Sequence, residues 1–375
     1  MNGSPGPIVS MAWLQALRQP EQTLDWTLPQ WERVLRLSRR LRLLGRLAES
    51  VEAAGLTASV PAPVARHLQA ELRYSRWRTR LLLWGLERLP AMMGEPPYPL
   101  VLLKGAAYVV QGLPIASGRL PSDIDILVPR EHLADAQERL LAAGWAETAL
   151  DDHDRRYYHE WSHEVPPMRH ALHGLELDLH HNILPPVAHT RVDIALLLAR
   201  LQPSPSAPWQ VFHPQDQVLH SAAHLFHDSD ARDRLRDLVD LDGLLRHFDA
   251  LPGFWQGLPA RASALGLNEP LALACHFATL WLRTPVPETV LMEIRKAGPS
   301  ASRRAWLHAM LSAVLTPTEP DQGPSARQDL AALGLLVRHH WRRMPLGILL
   351  PHLWHKWRTG RKVASDDVLA ARADG

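Results

Sequence analysis

One stretch, Val101 to Val128, constrains the chain more than any other: VLLKGAAYVVQGLPIASGRLPSDIDILV. Val101-Leu102-Leu103 is an apolar run with the character of a buried strand. Lys104-Gly105 turns the chain into a short helix, Ala106 to Gln111. A loop carrying Gly112, Gly118 and Arg119 follows, then a second strand from Ser122 to Val128. Side chains alternate across a strand, so Asp123 and Asp125 share one face while Ile124, Ile126 and Val128 take the other. Two neighbouring carboxylates on one face repel each other, and a fold tolerates them when a divalent cation sits between. Alone, an Asp-x-Asp pair is a weak signal, because many strands carry one by chance.

Leu-Lys-Gly, a spacer and then Arg-x-x-Ser-Asp-Ile-Asp-Ile-Leu-Val together resemble the nucleotidyltransferase superfamily of DNA polymerase β type. The Leu-Lys-Gly variant is similar to the uncharacterised nucleotidyltransferase family of bacterial proteins of about this length. The resemblance is strongest over residues 99–182. It implies an α+β fold: a small mixed β-sheet nucleotidyltransferase core with helices, flanked by N-terminal and C-terminal helical regions. One departure stands out. The superfamily's Gly-Ser is Lys104-Gly105-Ala106 here, so the phosphate-binding hydroxyl is missing and Lys104 is its candidate replacement.

A second strand is legible in Leu175-Glu176-Leu177-Asp178-Leu179-His180, where three leucines alternate with three polar groups. A half-buried strand alternates this way without any function. The resemblance, however, implies a third carboxylate on a strand beside the Asp-x-Asp strand. Asp178 matches that place, with Glu176 the alternative on the same face and His180 beside them.

The flanks read as helices. In residues 1–97, Trp31, Val34, Leu35, Leu37, Leu41, Leu44 and Leu47 approximate an apolar stripe, and Arg33, Arg36, Arg39, Arg40, Arg42 and Arg46 read as a solvated face, with an acidic partner or substrate as the other reading. Pro63 suits a helix start ahead of a long helix, His67 to about Leu89. Gly94-Glu95-Pro96-Pro97 ends this region, and the sheet core occupies 98–185. Within it, Glu131 to Ala143 is a helix with Gly144 as its stop. Trp145 to Leu150 and Arg155 to Val165 are strand-like, and Asp151 to Asp154 is an exposed turn. Residues 186–315 form a C-terminal helical domain, with Arg191 to Leu201 a helix and 203–208 a linker. A helix opening at Pro214 carries Asp216, His220 and His224 in one column, with His227 three further on. That column has zinc-compatible spacing, but the resemblance to a family with a His-rich helix after its sheet favours a cleft-lining role. On the next helix, Arg236 and Asp240 are spaced for an i,i+4 ion pair, with substrate contact as the other reading. Cys275 lies in an apolar run and reads as a packed thiol.

Residues 316–328 are a linker by composition, and 329–375 are a basic, Trp-rich helical tail. Leu330 to Ser365 has no acidic residue but seven basic ones, Arg338, Arg342, Arg343, Lys356, Arg358, Arg361 and Lys362. Packing on the body, an anionic membrane surface and a nucleic acid all suit that composition. Over the whole chain, 41 Lys and Arg against 39 Asp and Glu give a net charge of +2, too little to argue for a nucleic-acid partner. The single cysteine precludes an internal disulfide, and neither a secretory signal nor an apolar run of membrane-spanning length is evident. A cytoplasmic location, with peripheral membrane contact through the tail, is the expectation.

The resemblance implies Mg²⁺-dependent transfer of an NMP from an NTP, ATP included, to an acceptor hydroxyl on a small molecule, protein or RNA, with release of pyrophosphate. Asp123, Asp125 and Asp178 would be catalytic and would hold two Mg²⁺ ions. Lys104, Gly105, Arg119 and Ser122 would bind the nucleotide, and Glu176, His180, Asp216, His220, His224, Arg236 and Asp240 would line the cleft. The alternative is an inactive nucleotide- or partner-binding module of the same fold. Acceptor, base and oligomeric state are not legible.

Overall fold

The computed structural model describes residues 11–148, 158, 162–227 and 231–343. Its chain forms helices α1 (Leu28–Arg40), α2 (Leu44–Ala53) and α3 (Ala62–Met92), then strand β1 (Val101–Leu102) and helix α4 (Lys104–Val110). Strand β2 (Ile124–Leu127), helix α5 (Leu133–Ala142) and strands β3 (Trp145–Glu147), β4 (Met168–His170) and β5 (Glu176–His180) follow. Helix α6 (Ile194–Leu198) and the short strands β6 (Gln202–Pro203) and β7 (Gln210–Val211) lead into α7 (Pro214–His227) and α8 (Leu235–Phe248). The remaining helices are α9 (Phe254–Ala264), α10 (Asn268–Leu282), α11 (Glu288–Ala297), α12 (Ala301–Leu315) and α13 (Ala326–Arg343).

The α+β reading holds. The sheet runs β3-β4-β5-β2-β1-β7-β6 and is mixed: β2 is parallel to β5 and β1 to β7, whereas β1–β2, β4–β5, β3–β4 and β6–β7 are antiparallel. All four residues of β2 are buried, because helices cover the central strands. Pro63 stands in the first turn of α3, as its fixed φ and missing N–H favour. Gly144 ends α5 at φ +90°, a conformation that favours glycine.

Several local readings are corrected. The helix after β1 starts at Lys104 rather than Ala106, and the flanking strands are shorter than their apolar runs. Arg191–Leu201 yields only the short α6. Residues 203–208 are not a free linker, since Gln202–Pro203 pairs with Gln210–Val211. The arginines of α1 are not simply solvated. Arg33 donates through Nε to Glu319 at 2.8 Å, Arg36 through Nη1 to Asp321 at 2.8 Å, and Arg40 through Nη2 to the Thr318 carbonyl at 2.7 Å. They fasten the segment between α12 and α13 to the N-terminal helices, a long-range pairing that composition does not encode. Asp151 to Asp154 and most of the strand proposed at Arg155–Val165 lie outside the described residues, as do residues 344–375 of the tail. The described part of the tail packs on the body. Ala331 and Leu335 are buried, and Arg338 donates to Glu269 at 2.6 Å, joined there by Arg342. Cys275 is buried among apolar side chains, and burial pushes its thiol up to about 12. Among the described residues, no helix is long and apolar enough to cross a membrane.

Candidate active site

The site forms where β1, α4, β2 and β5 meet the helices α7 and α8. Lys104 bends the chain from β1 into α4 with φ +43°, an uncommon left-handed conformation for a side-chain-bearing residue. Its ammonium returns to β2 and donates to Asp125 Oδ1 at 2.8 Å. The entry to β2 is held from outside the sheet. Arg78 of α3 donates to the Pro121 and Ser122 carbonyls at 3.0–3.3 Å, and Arg46 of α2 to those of Pro114 and Ser117 at 2.9 and 3.2 Å. Asp123 follows that loop, half-buried, and accepts from Ser122 Oγ at 2.7 Å.

Asp125 and Asp178 are register partners on the adjacent parallel strands β2 and β5. Neighbouring strands lie about 4.8 Å apart, so the two carboxylates face each other directly. Their environments differ. Burial works against ionising Asp125, but Lys104 and then His180, whose Nε2 is 3.1 Å from Oδ1, outweigh it and hold this carboxyl well below the usual range. Burial, followed by the charge of Asp125, pushes Asp178 up to about 7. A carboxylate left facing another in this way is what a divalent cation relieves. Asp125, Asp178 and His180 also bring ligand atoms within 4.8 Å of one another. The donor set fits a cation.

A cleft of about 570 Å³ opens over these groups, lined by Lys104, Arg119, Ser122, Asp123, Asp125, Asp178, His224, Arg236 and Asp240, all picked out from sequence. Sequence reasoning missed Tyr108, Glu164, Ser221 and Asp237 in the same lining, which also holds Arg40 and Arg42, read from sequence as a solvated face or as contacts to an acidic partner or substrate. Glu164 forms an antiparallel bridge to His180 at the end of β5. No motif surrounds it, and no local signal would have found it. The cleft mouth is rich in arginine. Arg234 donates to Asp237 at 2.6 Å and meets His224 Nε2 at 2.7 Å, while Arg236 Nε lies 3.5 Å from Asp237. Arg236 Nη1 is buried without a hydrogen-bond partner among the described residues, and burial, then Arg119, lowers the pKa of its guanidinium.

Other sequence-derived residues behave differently. The i,i+4 pair of Arg236 with Asp240 does not form, because Asp240 pairs with Arg119 Nε at 2.9 Å, both side chains being buried. Arg119 therefore spends one edge of its fork on Asp240 and lies against the α-carbon of Gly105, where any Cβ would overlap its guanidinium. Asp216 does not line the cleft: it is fully buried and accepts from Arg261 of α9 at 2.6 and 2.9 Å. Glu176 is exposed at the far end of β5, away from the cleft. His220 is buried edge-on to Phe212, with burial lowering its pKa to about 3, so it stays neutral. His180 is buried behind Asp125 and borders a smaller neighbouring cavity instead of the main cleft.

Comparison with known proteins gives one positive result. The model of a family described as uncharacterised nucleotidyltransferase matches residues 27–283. The match spans α1 to the end of α10 and so includes every group named above. No curated protein and no solved structure matches the chain.

Proposed function

The chain belongs to the uncharacterised nucleotidyltransferase family, and from that premise we propose that it moves an NMP from an NTP to an acceptor hydroxyl in a Mg²⁺-dependent reaction. The observation that carries this reading is the register of Asp125 against Asp178, with Asp123 at the mouth of the same strand. Mg²⁺ held by these carboxylates would neutralise charge on the phosphate oxygens. Asp178 would complete the metal site and take the proton of the acceptor hydroxyl. The acceptor oxygen then bonds to the α-phosphorus, the α–β phosphoanhydride bond breaks, and pyrophosphate leaves. Arg236 and Arg42 at the cleft mouth suit the triphosphate, and Arg236 offers it a guanidinium nitrogen without a hydrogen-bond partner among the described residues. This assignment moves the phosphate contacts from the Lys104-Gly105 turn to the helical flanks. It is supported by the engagement of Lys104 with Asp125 and of Gly105 with Arg119.

One observation favours a second reading, a nucleotide-binding module without turnover. The Lys104 ammonium already supplies Asp125 with a positive partner, and Ala106 stands where the related motif has a hydroxyl. Incubation with each labelled NTP and Mg²⁺, beside the Asp123→Ala, Asp125→Ala variant, separates the two. Metal-dependent pyrophosphate release or self-labelling, absent from the variant, establishes the transferase and names the base. NTP binding with no product from any acceptor class, be it small molecule, protein or RNA, supports the module.

A further inference from the structure

We infer that His163, Glu164 and His180 form a binding site for a divalent transition-metal cation of the zinc class, separate from the carboxylate site, with His180 joining the two. The three side chains bring ligand atoms within 4.8 Å of one another. His180 Nδ1 lies 3.2 Å from Glu164 Oε2, and His163 Nε2 lies 3.9 Å from the same oxygen. A tetrahedral zinc ion with ligands at about 2.0–2.1 Å sets its ligand atoms roughly 3.4 Å apart, and both spacings to the Glu164 oxygen lie within about half an ångström of that.

His180 supplies the independent sign of a ligand. Its side chain is 4% exposed, yet Nδ1 makes no hydrogen bond among the described residues although Glu164 Oε2 is within distance. The oxygen therefore stands off the axis of the ring nitrogen, which leaves that direction open for an ion between the two. The other ring nitrogen, Nε2, meets Asp125 Oδ1 at 3.1 Å. A carboxylate behind a histidine ligand fixes its tautomer and raises its basicity, a recurrent support for bound zinc.

The backbone places these ligands rigidly. Glu164 bridges His180 at the end of β5, Val165 N–H donates to the Leu179 carbonyl at 2.9 Å, and His181 N–H to the His163 carbonyl at 2.8 Å. The site opens into a cavity of about 160 Å³, partly walled by Ile183, Leu184 and Pro185. Three protein ligands beside an open cavity leave the fourth position to water or to a substrate atom. Two imidazoles and one carboxylate favour zinc over Mg²⁺, which prefers oxygen donors. The cation would thus differ from the one held by Asp125 and Asp178.

The test uses the full chain, stripped with a chelator and then dialysed against Zn²⁺, with Co²⁺ absorption as a second readout. No nucleotide is present, so the outcome does not depend on transferase activity. The expected result is one Zn²⁺ per chain, retained in millimolar Mg²⁺, with a tetrahedral-type Co²⁺ spectrum. Glu164→Gln and His163→Gln should each weaken binding by about 100-fold or more, since even supporting residues around zinc cost 10–100-fold. Using both variants, each checked by its melting curve, guards against one that merely misfolds. Asp178→Asn should keep the Zn²⁺. Absence of stoichiometric binding by the wild type overturns the inference. So does loss of Zn²⁺ in Asp178→Asn with retention in both other variants, which would put the ion among the carboxylates.

Discussion

Replacing Asp178 by Asn should stabilise this protein while disabling it. Asp178 faces Asp125 in register, and its pKa stands at about 7 against an ordinary 3.8. Each pH unit of separation is worth about 1.4 kcal/mol, so the ionised side chain costs the metal-free fold roughly 4 kcal/mol. The sign follows from proton counting. Below pH 3.8 both states hold the proton and the cost is absent. Between 3.8 and about 7 the native state keeps a proton that the unfolded chain releases, so stability falls as pH rises. Above 7 the full cost applies. Asn keeps the shape without the charge, although its amide must also find partners, so the gain at pH 8 should be about 2–4 kcal/mol. Unfolding entropy of about 2.1 cal/mol/K per residue over the 375-residue chain turns this into a rise in Tm of roughly 3–5 °C. The assay is a series of thermal melts from pH 4 to 8 with chelator present, repeated with Mg²⁺. The variant's advantage should shrink towards pH 4, and Mg²⁺ should raise the wild-type Tm far more than the variant's, because only the native wild type offers the complete site. A variant that melts at or below the wild type at pH 8, or a gap constant across pH, would refute the like-charge argument.

Asp123→Ala and Asp125→Ala should both reduce NMP transfer by orders of magnitude, but only the second should lower stability. It leaves Lys104 and His180 without their buried partner, a change that typically costs about 3–5 kcal/mol, and denaturant titration reads the difference. Asp240→Asn should lower stability by a similar amount, because Arg119 is buried against it; an unchanged denaturation midpoint would contradict that pairing. Asp216→Asn should destabilise through Arg261 while the surviving folded enzyme keeps its KM for nucleotide, which steady-state kinetics on the folded fraction would check. Gly105→Ala should cost about 1–3 kcal/mol, because its methyl would overlap the pinned Arg119 guanidinium; a melt equal to wild type would show that Arg119 yields freely.

Much of the sheet core was legible because its signals are local. An apolar run marked β1, alternation marked β2 and β5, and Pro63 and Gly144 punctuated helices as their backbone preferences require. Alternation also put Asp123, Asp125 and Asp178 on the faces that border the cleft. It failed for Glu176 because a shared face is not a shared place. Two residues along a strand is about 6.6 Å, enough to carry Glu176 from the cleft to solvent.

What tertiary structure alone decided was the choice of partner. Sequence spacing offered Asp240 to Arg236, but Arg119, 121 positions away, holds it. Asp216 looked like the head of a cleft column and is claimed by Arg261, 45 positions on. Glu164 joined the site with no motif around it, through one bridge to His180. Period and propensity act within a few residues, so a sequence displays which faces are polar. Which distant charge reaches a buried carboxylate depends on desolvation and on the geometry of packed helices, and these exist only once the chain has folded.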